Sequence, residues 1–154
     1  MVGAVDEAVG VDAVAAAAGE RFRDRVFTPA EQAYCEARTR GRFASYAARF
    51  AAKEAAMKAL GTGWANGIGW RDFEVVHGAD GRPTLALHGK ASALARRRGM
   101  RRWLLALSHD GGAAVASVVA EAVPRVRGTA GPEGAGRRRA AGAGSGRRRS
   151  RARR

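Results

Sequence analysis

Glu54 and Lys58 stand four residues apart in the run Arg49-Phe50-Ala51-Ala52-Lys53-Glu54-Ala55-Ala56-Met57-Lys58-Ala59-Leu60-Gly61-Thr62-Gly63. That spacing puts both on one face of a helix, where a carboxylate and an ammonium make an ion pair worth about 0.2–0.5 kcal/mol. Taken alone, the spacing favours such a plain pair. Phe50 and Met57 flank the same side, so Glu54 is expected partly inside the fold. Gly61-Thr62-Gly63 follows within a turn, and small residues let backbone N–H groups approach a phosphate closely. A helix C-terminus repels anions, so a cation has to compensate there, and Lys58 is placed to do so.

Asp12 lies in the apolar stretch Ala8–Val14, where an unpaired carboxylate would be costly. It is either exposed at the end of a strand or bound to something positive. Mg²⁺ takes one or two carboxylates together with substrate phosphates and water. Asp12 and Glu54 would form that minimal set if the first strand packs on the long helix. Ser108-His109-Asp110 is too tightly spaced for a proton relay among its own side chains. It reads equally as a turn or as a place where His109 meets a phosphate or an adenosine group. Cys35, the single cysteine, has no evident activating partner and reads as a small buried hydrophobe.

The elements that must position these residues follow from the pattern. Ala8–Val14 suits a strand. Thr28-Pro29-Ala30-Glu31 is a capping box with proline at the first helical position, predicting a helix to about Ala37. A longer, alanine-rich helix is predicted over Ala44–Leu60, ended by Gly61. Trp70–His77 and Thr84–His88 read as a hairpin around the turn Ala79-Asp80-Gly81-Arg82-Pro83, with Phe73 and Val75 on one face and Leu85 and Leu87 inward. Ala91–Arg98 is a short helix ended by Gly99, and Arg101–Leu107 and Ala113–Ala120 form a second antiparallel pair. The fold class is α+β, one long helix packed against a small antiparallel sheet.

At 154 residues the chain has the length of one domain. It holds 25 arginines against 3 lysines and a net charge of +14. Residues 124–154 carry eleven arginines and one acid, Glu133, so residues 1–123 are only mildly basic. The Arg/Gly/Ala-rich segment has no apolar periodicity and is expected to be disordered. Overall charge is therefore no argument for a nucleic-acid-binding fold, although the tail could hold phosphate backbones without sequence preference. No apolar run is long enough to span a bilayer. The first residues include Asp6 and Glu7 and no basic leader, so no secretory signal is expected and the chain reads as cytoplasmic.

Seven segments, in order, resemble the holo-acyl-carrier-protein synthases, the small class of 4′-phosphopantetheinyl transferases. They are Gly10-Val11-Asp12, Phe27-Thr28-Pro29-Ala30-Glu31, Arg49 to Ala55, Lys58 to Gly63, Trp70 to Glu74, Gly81-Arg82-Pro83 and Leu107-Ser108-His109. The likeness covers about residues 8–121, and the block from Arg49 to Gly63 is its most specific part.

The resemblance implies a homotrimer, with coenzyme A in clefts between subunits and an acyl carrier protein as partner. It implies Mg²⁺ on Asp12 and Glu54, and Lys58 on the coenzyme A phosphates, Glu54 and Lys58 being the catalytic pair. Gly61, Thr62, Gly63 and His109 would line the nucleotide site, with Arg82 and Pro83 near the adenine. The implied reaction moves phosphopantetheine from coenzyme A to a carrier serine and releases 3′,5′-ADP. The segment after Asp12 is shorter than is usual in the family by about two helical turns. That segment helps dock the acidic carrier in relatives, and Arg21, Arg23 and Arg25 would supply the basic surface instead. A degenerate relative that binds coenzyme A without transfer is the alternative reading. Retention of Asp12, Glu54 and Lys58 argues against it.

Overall fold

A computed structural model describes residues 2–63, 67–110 and 112–123. The segment 124–154, expected to be disordered, lies outside these residues. In chain order the elements are β1 (Val2–Gly10), α1 (Val11–Ala17), α2 (Glu20–Val26), α3 (Pro29–Glu36) and α4 (Arg42–Leu60). A 3₁₀ turn (Trp70–Asp72), β2 (Phe73–His77), β3 (Pro83–Leu87), α5 (Gly89–Arg97), β4 (Met100–Asp110) and β5 (Ala113–Ala122) follow.

The strands form two antiparallel sheets, β1-β5-β4 and β2-β3. The α+β class and the long helix are as expected from the sequence. α4 packs on β5 and β1, and the side chains buried there are small: Ala51, Ala52, Ala55 and Ala56 on the helix, with Ala114, Ala116 and Ala120 on β5. Small residues on both sides let helix and sheet approach closely, while Phe27, Tyr46, Phe73 and Leu60 fill the remaining core.

Several boundaries differ from the reading of the sequence, each for a local reason. The first strand is Val2–Gly10, not Ala8–Val14, because its partner β5 begins at Ala113 and the ladder closes at Gly10↔Ala113. Val11 N–H donates to the Gly112 carbonyl at 2.7 Å, and the alanine-rich run beyond turns helical. Asp12 is therefore in the first turn of a helix, not in a strand. Trp70–Asp72 is a 3₁₀ turn because Asp72 reaches back to accept from Gly69 N–H, so the strand begins only at Phe73. Ser108-His109-Asp110 is not a turn: β4 runs on to Asp110, with His109 opposite Ala114. Gly112, at φ 87°, takes the left-handed conformation this tight reversal requires.

The capping box is present as expected. Glu31 N–H donates to Thr28 Oγ1 at 3.3 Å, and Thr28 N–H donates to Glu31 Oε2 at 2.9 Å. Gly61 ends α4 with φ 71°. Cys35 is fully buried, and burial pushes its thiol up to about 11, in keeping with a packing role.

Candidate active site

α4 carries two groups of polar side chains. The first faces β1. Alternation along β1 turns Val5, Glu7 and Val9 toward the helix, so Glu7 is a carboxylate on an otherwise apolar face. Lys58 makes an ion pair and hydrogen bond to Glu7 Oε1, and Glu54 stands one turn earlier on the same face of α4. Glu54 is half-buried, as the sequence suggested. Burial, and then repulsion by Glu7, hold its carboxyl above the usual carboxylate range, opposed by Lys58. The hydrogen bond that Lys58 donates to Glu7 holds its ammonium above the ordinary range. Lys58 thus pairs with Glu7, not with Glu54 as the i,i+4 spacing suggested.

Asp12 is exposed and makes no hydrogen bond or ion pair among the described residues. The charges acting on Glu54 are those of Glu7 and Lys58. The second carboxylate beside Glu54 in this chain is therefore Glu7. Reading the sequence missed it, although an acid alternating with Val5 and Val9 in a strand was the available signal. Among the described residues no three His, Cys, Asp or Glu side chains gather into a metal cage. Magnesium needs fewer, since substrate phosphates and water complete its shell. Glu54, raised first by burial and then by Glu7, and the exposed Asp12 make no hydrogen bond or ion pair among the described residues, and both have the oxygen chemistry to bind such an ion.

The second group lines a cleft of about 200 Å³ that includes Tyr34, Arg38, Arg49, His77, Pro83 and His109. The Arg49 guanidinium lies 3.9 Å from the Tyr34 ring centroid, and Arg38 lies 4.3 Å from it. His77 stacks on the same ring at 4.6 Å with an interplanar angle of 17°. Arg49 is only 3% exposed, donates to the Ser45 carbonyl at 3.3 Å, and has no carboxylate partner among the described residues. Its buried Nε has no hydrogen-bond partner among the described residues. A desolvated guanidinium with no counter-ion, beside a second arginine and two imidazoles, is built to receive an anion. Partial burial, then Arg49 and Arg38, hold His77 below the usual imidazole range.

Of the residues expected to hold the nucleotide, Pro83 and His109 meet in this cleft. Arg82 is exposed and paired with Asp80 at 3.5 Å. The Gly61–Gly63 turn lies at the other end of α4, where the buried Thr62 Oγ1 has no hydrogen-bond partner among the described residues. Arg38, Arg49 and His77 had been given no role from the sequence. Arg49 fell inside the most specific motif, and its burial could not be read from the motif alone.

The family model of the 4′-phosphopantetheinyl transferase superfamily matches residues 8–117. The chain belongs to this superfamily. It is 57% identical over 105 residues to a holo-[acyl-carrier-protein] synthase of Anaeromyxobacter dehalogenans (strain 2CP-C), covering 68% of this chain and 79% of that one. Its fold resembles the crystal structure of the holo-[acyl-carrier-protein] synthase of Neisseria meningitidis, with a TM-score of 0.70 and 31% identity over 79% of this chain and 99% of that one. It also resembles the synthase of Bacillus anthracis solved in complex with CoA (3′,5′-ADP), with a TM-score of 0.65 and 28% identity over 79% and 96% of the two chains.

Proposed function

We propose that this protein transfers the 4′-phosphopantetheine arm of coenzyme A to a serine of an apo-acyl carrier protein, giving holo-carrier and 3′,5′-ADP. The observation that carries the reading is the pairing of functions on α4. Arg49 presents a buried, unneutralised cation to a cleft, and Glu54 and Lys58 present the charges that phosphoryl transfer needs, in a chain of the transferase superfamily. In the reaction the serine oxygen bonds to the β-phosphorus, and the bond from that phosphorus to the oxygen of 3′,5′-ADP breaks.

The chain's own residues position and neutralise. Lys58, released from Glu7, contacts the pyrophosphate. Arg49, Arg38 and His109 hold the nucleotide phosphate, with Pro83 beside the base and Arg82 at the rim. In the Gly61–Gly63 turn the Gly61 and Thr62 N–H groups close the helix end on the Met57 and Lys58 carbonyls, which leaves the Gly63 N–H and the Thr62 hydroxyl to meet a phosphate. Glu54, with Asp12 as the second ligand expected from the resemblance, would hold Mg²⁺, which when bound supplies charge neutralisation at the pyrophosphate.

Arg49 and Glu54 are five residues apart, about 140° round the helix, so the two groups open on different sides of α4. That placement supports a homotrimer in which the cation cleft of one copy meets the carboxylate side of the next. Arg21 and Arg25, exposed and four apart on α2, are the surface we assign to the carrier, since Arg23 is occupied by Glu36 at 2.8 Å. No described helix is long and apolar enough to cross a membrane, and we place the protein in the cytoplasm. Transfer is assigned to residues 1–123, with no catalytic part for 124–154.

The test is the intact mass of an apo-carrier incubated with the protein, coenzyme A and Mg²⁺. A gain of one phosphopantetheine arm, lost with EDTA and with Glu54→Ala, is expected. Coenzyme A binding with no gain on any carrier would overturn the reading in favour of a binding relative.

A further inference from the structure

Where α4 ends, a cation from another element sits on the turn itself. Arg98, just past α5, donates from Nη1 to the Leu60 carbonyl, 38 residues away in sequence. A Cβ added at Gly61 would lie 2.8 Å from that same nitrogen. The Met57 and Lys58 carbonyls accept from Gly61 N–H at 3.1 and 2.9 Å, so among the described residues Arg98 satisfies a carbonyl that no backbone N–H of the turn reaches. Lys58, the cation expected to offset this helix end, is instead engaged with Glu7 on β1. Arg98 makes no ion pair with any described carboxylate, so its charge is not cancelled locally.

A helix C-terminus carries a partial negative charge that opposes an arriving phosphate. Resting on the proposed function, we infer that Arg98 is a positioning residue for coenzyme A. It holds the Leu60 carbonyl away from the substrate side, fixes the Gly61–Gly63 turn, and replaces the negative helix end by a positive one while Lys58 is held by Glu7. It acts before the chemical step, so it should govern substrate binding and not the rate once substrate is bound.

The experiment compares wild type, Arg98→Met and Arg98→Lys for coenzyme A affinity by calorimetry, for KM and kcat in transfer, and for melting temperature. For Arg98→Met, Kd and KM for coenzyme A are expected to rise about two- to fivefold with kcat within twofold of wild type. Arg98→Lys, which keeps a cation able to donate to the Leu60 carbonyl, should recover most of the loss. Unchanged Kd in Arg98→Met would overturn the inference while leaving the transferase reading intact. So would a loss that falls on kcat, or one that tracks a lowered melting temperature and is not rescued by lysine. Failure of the wild type to bind coenzyme A would overturn both.

Discussion

Lys53 Nζ and a carboxylate oxygen of Glu31 are 2.7 Å apart, and neither side chain has any exposed surface. Glu31 Oε1 accepts from Val75 N–H at 2.9 Å, and Lys53 donates to the Trp70 carbonyl at 3.2 Å and to that of Phe73. With the Thr28 cap, one buried pair therefore ties α3, α4 and β2 together. Burial pushes the Lys53 ammonium down, and Glu31 is what opposes that shift. A buried pair of this kind adds little over an apolar pair of equal size, but losing one partner leaves an uncompensated charge. Glu31→Ala should lose about 3–5 kcal/mol in urea denaturation. The double variant Glu31→Leu with Lys53→Met should be more stable than Glu31→Ala. If it is less stable, the polar network contributes more than its charge balance.

Glu7 stands between the two residues to which catalysis is assigned, holding Lys58 and raising Glu54. Glu7→Gln frees the ammonium that the proposed function sets on the pyrophosphate and removes the negative charge paired with it. Exposed ion pairs are worth at most about 1 kcal/mol, so KM for coenzyme A should fall by about fivefold or less. A rise in KM together with a higher magnesium requirement would instead place Glu7 among the carboxylates that hold the ion.

Arg49 should matter through geometry as well as charge. Its flat guanidinium lies against Tyr34 with Nε unpartnered, an arrangement that an ammonium cannot reproduce. Arg49→Lys should weaken 3′,5′-ADP binding about tenfold or more, the value of a charge-assisted hydrogen bond, as read by calorimetry. Equal affinity in wild type and variant would remove Arg49 from the nucleotide site.

Much of this was legible in the sequence because the signals were local. The Thr28–Glu31 capping box, the Gly61 stop and the α4 motif each depend on residues within a few positions of one another. What escaped depends on pairing between distant segments. The end of β1 is set by where β5 begins, which no pattern in residues 8–14 contains, so Asp12 was placed in the wrong element. The Lys58–Glu7 contact joins residues 51 apart, and the local i,i+4 partner Glu54 was the nearer choice on paper. The Tyr34 cluster draws Arg38, Arg49 and His77 from three elements or their flanks, and the burial that sets Arg49 apart from the chain's surface arginines is not contained in its motif.

His77 supplies a pH dependence with a definite sign. Its folded pKa lies below the ordinary value, so it is neutral at pH 7 and the stability this gives is present above about pH 6.5. As pH falls through that value the unfolded chain takes up the proton first, and stability declines. A bound phosphate in the cleft raises the imidazole pKa again, so 3′,5′-ADP should bind more tightly at pH 6 than at pH 8. His77→Asn should flatten both trends in thermal melts and in calorimetry. An unchanged affinity profile in the variant would mean that the phosphate lies elsewhere.

The outward face of the three-stranded sheet is where the proposed homotrimer is most open to test. Alternation sets Ala4 and Ala8 of β1, Val115 and Val119 of β5, and Leu104 and Ala106 of β4 on the side away from α4, and Leu104 and Val115 are each 41% exposed. At its centre Ser117 Oγ donates to Asp6, a carboxylate in the middle of an apolar strip. A second copy is the occupant we assign to this strip, as the proposed homotrimer requires. Leu104→Arg puts a charge into that contact without touching the core, so light scattering should show a smaller species with an unchanged circular dichroism spectrum. Because the site would then lack its second half, transfer should fall by about two orders of magnitude or more, as when reacting groups lose their mutual positioning. Asp6→Asn keeps an acceptor for Ser117 while removing the charge, and should favour the larger species. A Leu104→Arg protein with wild-type mass and activity would show that the sheet face is not the interface.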